Sequence, residues 1–437
     1  MGAATQRRAS IVVLALMGLG LTVGKTASAD LKSFMAKPES VYKWEKRNEQ
    51  KIEGGTLYDL HLVSQTWKNG PWEHRLILLK PDKLTHPEFC ALLNTGGNGS
   101  ERDFVSNMKL ANSSGCMTAM LYNIPNQPLY GGKTEDALIV YTWQQYFLSG
   151  DEDWPLHFPM AKAVLKSMDA LQEFAKSEKL PDLTSFLVYG ASKRGWTTWL
   201  VGASLDKRVK AIAPMVIDTL NVIKQIPHQL EAFGGKPSEQ IGDYSAGGML
   251  TMLNSPRGKK LMELEDPYSY KDTLTLPKLI ILGTNDQYWA QDALNYYWDD
   301  LKGPKWVSYT PNSGHGLEDR DHVYATLSAF IRSVSDHKSM PQLKWEYTPN
   351  ADGVDLKITS NTEVKAARFF YNTAPTQDFR NFKNWTSVPM PFNKKTASGK
   401  MEAPKDGYKA VYGEVTYESD GQPYTLATQI HILPAKK

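Results

Sequence analysis

Residues 186–200 restrict this chain to few folds. Phe186-Leu-Val-Tyr189 is an apolar run, Gly190-Ala191-Ser192-Lys193-Arg194-Gly195 is a turn bounded by glycines, and Trp196-Thr-Thr-Trp-Leu200 resumes with helical spacing. A strand that turns this sharply into a helix places one serine hydroxyl at the carboxyl end of a sheet. The helix behind it aims its free N–H groups at any negative charge that develops there. Gly190 and Gly195 let strand and helix approach to a distance at which side chains would collide. The spacing is G-x-S-x-x-G, looser by a single position than the G-x-S-x-G nucleophile elbow. A serine in such a turn is otherwise a turn residue or a helix N-cap, so the rest of the chain has to supply its chemical partners.

The surrounding pattern supplies a matching framework. Residues 30–47 show no period and read as a surface arm. Residues 56–67 and 72–80 alternate apolar and polar side chains around Lys68-Asn-Gly-Pro71, which predicts a β-hairpin. Strands follow at 88–93, 116–122, 186–189, 209–217, 278–282 and 306–310. They alternate with helices at 103–111, 134–147, 159–175, 196–205, 292–301 and 322–333, and Met160, Val164, Met168, Leu171 and Phe174 form one apolar face. This order predicts an α/β fold, a mostly parallel sheet covered by helices on both faces. Residues 221–276 are far more than a crossover needs and suggest a cap over the strand ends. From Gln342 the pattern becomes a run of short alternating strands, which predicts a separate immunoglobulin-like β-sandwich over 339–437.

A serine nucleophile needs a base, a carboxylate to orient that base, and donors for an oxyanion, in the chain order Ser, Asp, His. Of nine histidines, His315 alone lies in a loop directly after a late strand, in the flexible, glycine-flanked Asn312-Ser-Gly-His-Gly316. His322 falls in a helix, and His337 and His431 lie at or beyond the sandwich boundary. Asp286, just past the strand 278–282, is the candidate acid, with a helix N-cap as its plain alternative. Asp218, past the strand ending near Ile217, is the rival acid. The N–H of Lys193 and one from Gly96 or Gly97, at the end of the strand 88–93, are the candidate oxyanion donors. Gly131-Gly-Lys-Thr134 resembles the end of a phosphate loop, but Gln127 stands where that loop needs its first glycine. No H-E-x-x-H or paired C-x-x-C occurs, so neither a metal nor a cofactor is expected.

The N-terminus reads as a secretory signal over 1–29. Arg7-Arg8 precede an apolar stretch from Ile11 to Val23, and Ala27-Ser-Ala29 is a small-residue cleavage site. The large apolar residues expected after a twin-arginine pair are missing, which favours the general secretory route. The mature chain is expected in the periplasm or secreted, without stable membrane insertion. Fifty basic and forty-seven acidic residues nearly cancel, and no basic stripe marks a nucleic-acid surface. Cys90 and Cys116 form a disulfide or remain buried thiols, and nothing specifies an oligomer.

With these residues in place, the chain resembles the PhoPQ-activated pathogenicity-related proteins, an exported branch of the α/β-hydrolase superfamily. The matching stretches are Pro125-Asn-Gln-Pro-Leu129, Trp154-Pro-Leu-His-Phe-Pro-Met160, Gly190-Ala-Ser-Lys-Arg-Gly-Trp196, Ile217-Asp-Thr-Leu-Asn221, Lys278-Leu-Ile-Ile-Leu-Gly-Thr-Asn-Asp286 and Asn312-Ser-Gly-His-Gly-Leu317. The turn is also similar to that of glucuronoyl esterases, where a basic residue follows the nucleophile. The resemblance implies an α/β-hydrolase fold over 30–338 and a serine nucleophile. The expected activity is acyl transfer from an ester, with a peptidase or a non-catalytic binding protein as alternatives. The expected substrate is a small-molecule or polymer-linked ester or a peptide. Ser192, His315 and Asp286 are the expected triad, and Gln127, Arg194, Trp196 and Trp289 the expected substrate contacts. Lys193 either turns away with Arg194 to surface acids such as Asp151, Glu152 or Asp153, or reaches over the site to an anionic substrate.

Overall fold

The computed structural model describes residues 30–436 apart from Asn69; the expected signal over 1–29 lies outside the described residues. In the first half, strands β1 (Lys43–Ile52), β2 (Gly55–Trp67), β3 (Gly70–Pro81), β4 (His86–Asn94) and β5 (Cys116–Leu121) are interspersed with helices α1 (Leu31–Met35) and α2 (Glu101–Ser114). Helices α3 (Glu135–Ser149) and α4 (His157–Ser177), strand β6 (Ser185–Ala191), helix α5 (Lys193–Ala203) and strand β7 (Val209–Met215) follow. Helices α6 (Val222–Ala232), α7 (Gly242–Ala246), α8 (Met249–Met252) and α9 (Pro256–Glu265) fill the expected insertion. Strands β8 (Lys278–Gly283) and β9 (Lys305–Thr310) and helix α10 (Arg320–Ser335) complete the alternating part.

The sheet runs β1-β2-β3-β5-β4-β6-β7-β8-β9. The pairs from β5 through β9 are parallel, whereas β1, β2 and β3 run antiparallel. The mixed sheet with helices on both faces is therefore present. Strands β5 to β8 are buried almost throughout, as a sheet covered on both faces demands. The apolar face read on α4 is buried along its length: Met160, Val164, Met168, Leu171 and Phe174 are all at 0% exposure. Each such side chain contributes about 1.5–3 kcal/mol. Among the described residues, no helix is long and apolar enough to cross a membrane.

Three expectations change. The arm read over 30–47 ends in β1, which pairs with β2 but has almost every side chain exposed, so it carries no alternating pattern to detect. The helix expected over 292–301 is only a single turn at Ala293–Tyr296. Four carbonyls of the segment accept from outside it: Gln225 Nε2 donates to Ala293, Asn221 Nδ2 to Tyr296, and the Lys305 ammonium to Trp298 and Leu301. Third, the C-terminal strands do not form a free-standing sandwich. They are β10 (Leu343–Pro349), β11 (Gly353–Ser360), β12 (Ala366–Ala374), β13 (Thr386–Pro389), β14 (Phe392–Asn393), β15 (Thr396–Glu402), β16 (Tyr408–Ser419), β17 (Gln422–Ala427) and β18 (His431–Pro434). Through the pairing of Ala427 with Val307, β17 joins β9, so that β17-β16-β12-β13 continue the main sheet. The sheet β10-β11-β15-β14 lies over this extension, with Leu356 and Ile358 against Gly413. One apolar cluster holds Leu279, Trp306 and Phe330 together with Val354, Val411 and Tyr417.

Cys90 and Cys116 lie on adjacent strands as buried, free thiols. Burial raises both, Cys116 to about 12.

Candidate active site

Ser192 sits between β6 and α5 with φ 58° and ψ −130°, a strained conformation for a residue with a side chain. Its N–H is tied to the Met215 carbonyl at 2.9 Å. The flanking glycines are required by proximity: a Cβ on Gly190 would stand 2.5 Å from Asn94 Nδ2, and one on Gly195 2.8 Å from the Met215 carbonyl. As the first residue of α5, Lys193 has an N–H with no carbonyl of its own helix to bind. The Gly96 N–H has no partner among the described residues. A Cβ on Gly96 would lie 2.4 Å from Arg194 Nη2, so the loop after β4 rests directly on the elbow. Gly97 is set further out, with φ 66° and its carbonyl accepting from Asn123. Gly96 therefore fits the donor position better than Gly97.

His315 Nδ1 meets Asp286 Oδ2 at 2.8 Å and Oδ1 at 3.0 Å. An ionised carboxylate only accepts, so this pair fixes the proton on Nδ1 and leaves Nε2 as a free acceptor. Nε2 is buried and has no hydrogen-bond partner among the described residues. The ring is held by Tyr288, with centroids 4.1 Å apart, and the His315 N–H donates to Gln287. The loop is pinned rather than flexible. Gly314 N–H donates to Glu318, and a Cβ on Gly314 would press on Gln287. The rival acid makes no such pair. Asp218 is buried, accepts from Tyr297 Oη at 2.8 Å, and is pushed up to about 8 by burial.

A cavity of about 80 Å³ opens beside Ser192. Lys193, Trp196, Trp289 and Asp218 line it, as do Val222 and Tyr244 from the insertion. Two expected substrate contacts, Gln127 and Arg194, are not in its wall: both turn to Glu135. Arg194 grips that carboxylate through Nη1 and Nη2, each at 2.7 Å, and its Nε binds the Ile124 carbonyl. Gln127 accepts the Glu135 N–H at 2.8 Å and donates back to its side chain. The Lys193 ammonium reaches Glu135 at 2.8 Å and Asp136 at 3.1 Å and is 8% exposed. Burial would push the Glu135 carboxyl up, but Arg194 and Lys193 outweigh it and hold it well below the usual range. Asp151 and Asp153 bind Lys68 and Lys37 instead. The sequence hides the role of Glu135 and Asp136, because acids in a first helical turn are ordinary complements to the dipole.

Two more residues escape a reading of the sequence. Asn285, next to Asp286, donates to the Phe379 and Phe382 carbonyls at 2.9 and 3.0 Å. Asn312, in the His315 loop, exchanges two hydrogen bonds with the Trp385 backbone at 2.8 and 3.1 Å. Among the described residues, no cluster of three or more His, Cys, Asp or Glu is placed to hold a metal ion.

The model of the family described as PhoPQ-activated pathogenicity-related protein matches residues 31–380. Autocrine proliferation repressor protein A of Dictyostelium discoideum is 33% identical over 362 residues, which cover 78% of this chain and 72% of that protein. Among solved structures, an acetyl xylan esterase from Paenibacillus sp. R4 is 14% identical, covers 70% of this chain and 92% of its own, and has a TM-score of 0.47. An S-formylglutathione hydrolase from Agrobacterium tumefaciens is 15% identical, covers 67% and 96%, and has a TM-score of 0.43.

Proposed function

Because the chain belongs to the PhoPQ-activated pathogenicity-related protein family, and its elbow serine stands in a sheet whose later loops pair His315 with Asp286, we propose that it is a serine hydrolase cleaving carboxylic esters by acyl transfer. Ser192 Oγ attacks the carbonyl while His315 Nε2 takes its proton. Asp286 keeps the other ring proton on Nδ1 and stabilises the imidazolium, and the Lys193 and Gly96 N–H groups receive the oxyanion. The same proton then goes to the leaving alcohol, and water repeats the cycle to free the acid. The observation that carries this reading is His315 itself, anchored to a carboxylate through Nδ1 with a buried, unpartnered Nε2. An ester is favoured over a peptide N-terminus because, of the two acids in the cavity wall, Asp136 is paired with Lys193 and Asp218 is kept uncharged by burial at neutral pH. No second anion meets a substrate ammonium there. On the strength of the N-terminal signal pattern, we place the mature enzyme in the periplasm or outside the cell.

The test is labelling with a fluorophosphonate alongside hydrolysis of a panel of esters and peptides by the mature chain. Wild type should label at Ser192 and turn over esters, and Ser192→Ala should lose both while melting as wild type does. Turnover by Ser192→Ala at a comparable rate removes the nucleophile and with it the proposal.

A further inference from the structure

The cavity beside Ser192 has a consistent chemistry. Trp143, Trp196 and Trp289 wall it, and Val222, Ile226 and Leu253 of the helical insertion cover it. Its one ammonium, on Lys193, lies between Glu135 and Asp136 and is not free for a substrate carboxylate. Asp218, also in the wall, is kept uncharged by burial at neutral pH. A charged group entering here loses its water and gains no unpaired counter-ion. At about 80 Å³ the cavity exceeds the roughly 10–15 Å³ that a single water needs and is far too small for a long acyl chain.

His315 decides which half of the substrate lies in this cavity. The histidine hands its proton to the leaving group, and it is not part of the cavity wall. The leaving alcohol therefore lies on the His315 side, and the cavity holds what stays on Ser192. On this basis, and resting on the acyl-transfer reading above, we propose that the cavity is the acyl pocket. It selects an uncharged, apolar acyl group larger than acetyl, a single ring or a chain of medium length.

The experiment compares 4-nitrophenyl acetate, hexanoate, benzoate and dodecanoate with the adipate half-ester, using the mature chain and labelling of Ser192 in parallel. From acetate to hexanoate or benzoate kcat/KM should rise at least about tenfold, and it should fall again at dodecanoate. The adipate half-ester, of similar length but anionic, should be about a hundredfold poorer than hexanoate. Filling the pocket with Val222→Trp should lower the hexanoate-to-acetate ratio at least about tenfold, a ratio that does not depend on how much of the variant folds. A flat series, a preference for acetate or adipate, or an unchanged ratio in Val222→Trp overturns the acyl pocket while Ser192 labelling preserves the hydrolase. No labelling and no turnover on any ester overturns both.

Discussion

Asp286 and Asp218 are both carboxylates placed beyond strand ends, and their neighbours give them different work. Asp286 accepts from the Tyr288 N–H and from His315, so its loss acts on the imidazole. Asp286→Asn should lower kcat by on the order of 10³- to 10⁴-fold by favouring the wrong tautomer, whereas Asp218→Asn should cost less than about tenfold. The reverse ranking in steady-state kinetics would move the acid to Asp218. Stability separates the two as well. The Asp218 pKa of about 8 in the folded chain exceeds its ordinary 3.8, so between these values the folded state holds an extra proton. The stability this group contributes is complete below pH 3.8 and is lost as the pH rises through about 8. Denaturant midpoints of Asp218→Asn should therefore decline less between pH 4 and 8 than those of wild type; an equally steep decline would show that Asp218 ionises normally. At this scale the sequence was informative about Ser192, Asp286 and His315, because each follows a strand. It was silent on Glu135, which meets Arg194 only through the fold.

The loops that carry Asp286 and His315 are held from the C-terminal region. Asn285 binds the carbonyls of Phe379 and Phe382, and Asn312 binds Trp385. Asn312 also stands at φ 57°, a conformation asparagine tolerates better than most residues. Asn312→Gly keeps that backbone accessible and removes the two side-chain bonds, which isolates their contribution. It should cost about 1–3 kcal/mol in stability and lower kcat by about 10- to 100-fold with KM little changed. Wild-type kcat in Asn312→Gly would show that the grip is unrelated to turnover. Elements with a one-sided apolar pattern, such as α4 and β2, were legible. The segment 292–301 misled because Leu294, Tyr297, Trp298 and Leu301 are buried with helical spacing while side chains from elsewhere take the Ala293, Tyr296, Trp298 and Leu301 carbonyls. A periodic pattern reports which side chains are buried, not which groups satisfy the backbone.

Across the whole molecule, the change of pattern near residue 342 is real, but it is not a break in packing. It marks the start of strands that extend the main sheet and share its core, because β17 pairs with β9 and Phe330 clusters with Val411. A chain ending at residue 338 would uncover the edge of β9 and that shared apolar surface, so it should aggregate rather than remain an active enzyme. A soluble and fully active 30–338 fragment, judged by size-exclusion chromatography and ester turnover, would show that the C-terminal strands are dispensable.

The segment between β12 and β13 makes a further connection. Besides holding Asn285 and Asn312, it places the Arg380 guanidinium 3.6 Å over the ring of Phe233, at the end of α6, and 3.5 Å from Glu239. One short stretch thus contacts the Asp286 loop, the His315 loop and the insertion over the cavity. For recombination between relatives, this makes residue 338 a poor crossover despite the change of pattern nearby. A chimera joined there would inherit the Asp286 and His315 loops from one parent and the segment that fits them from the other, whereas a joint beyond Trp385 keeps the whole set from a single ancestor.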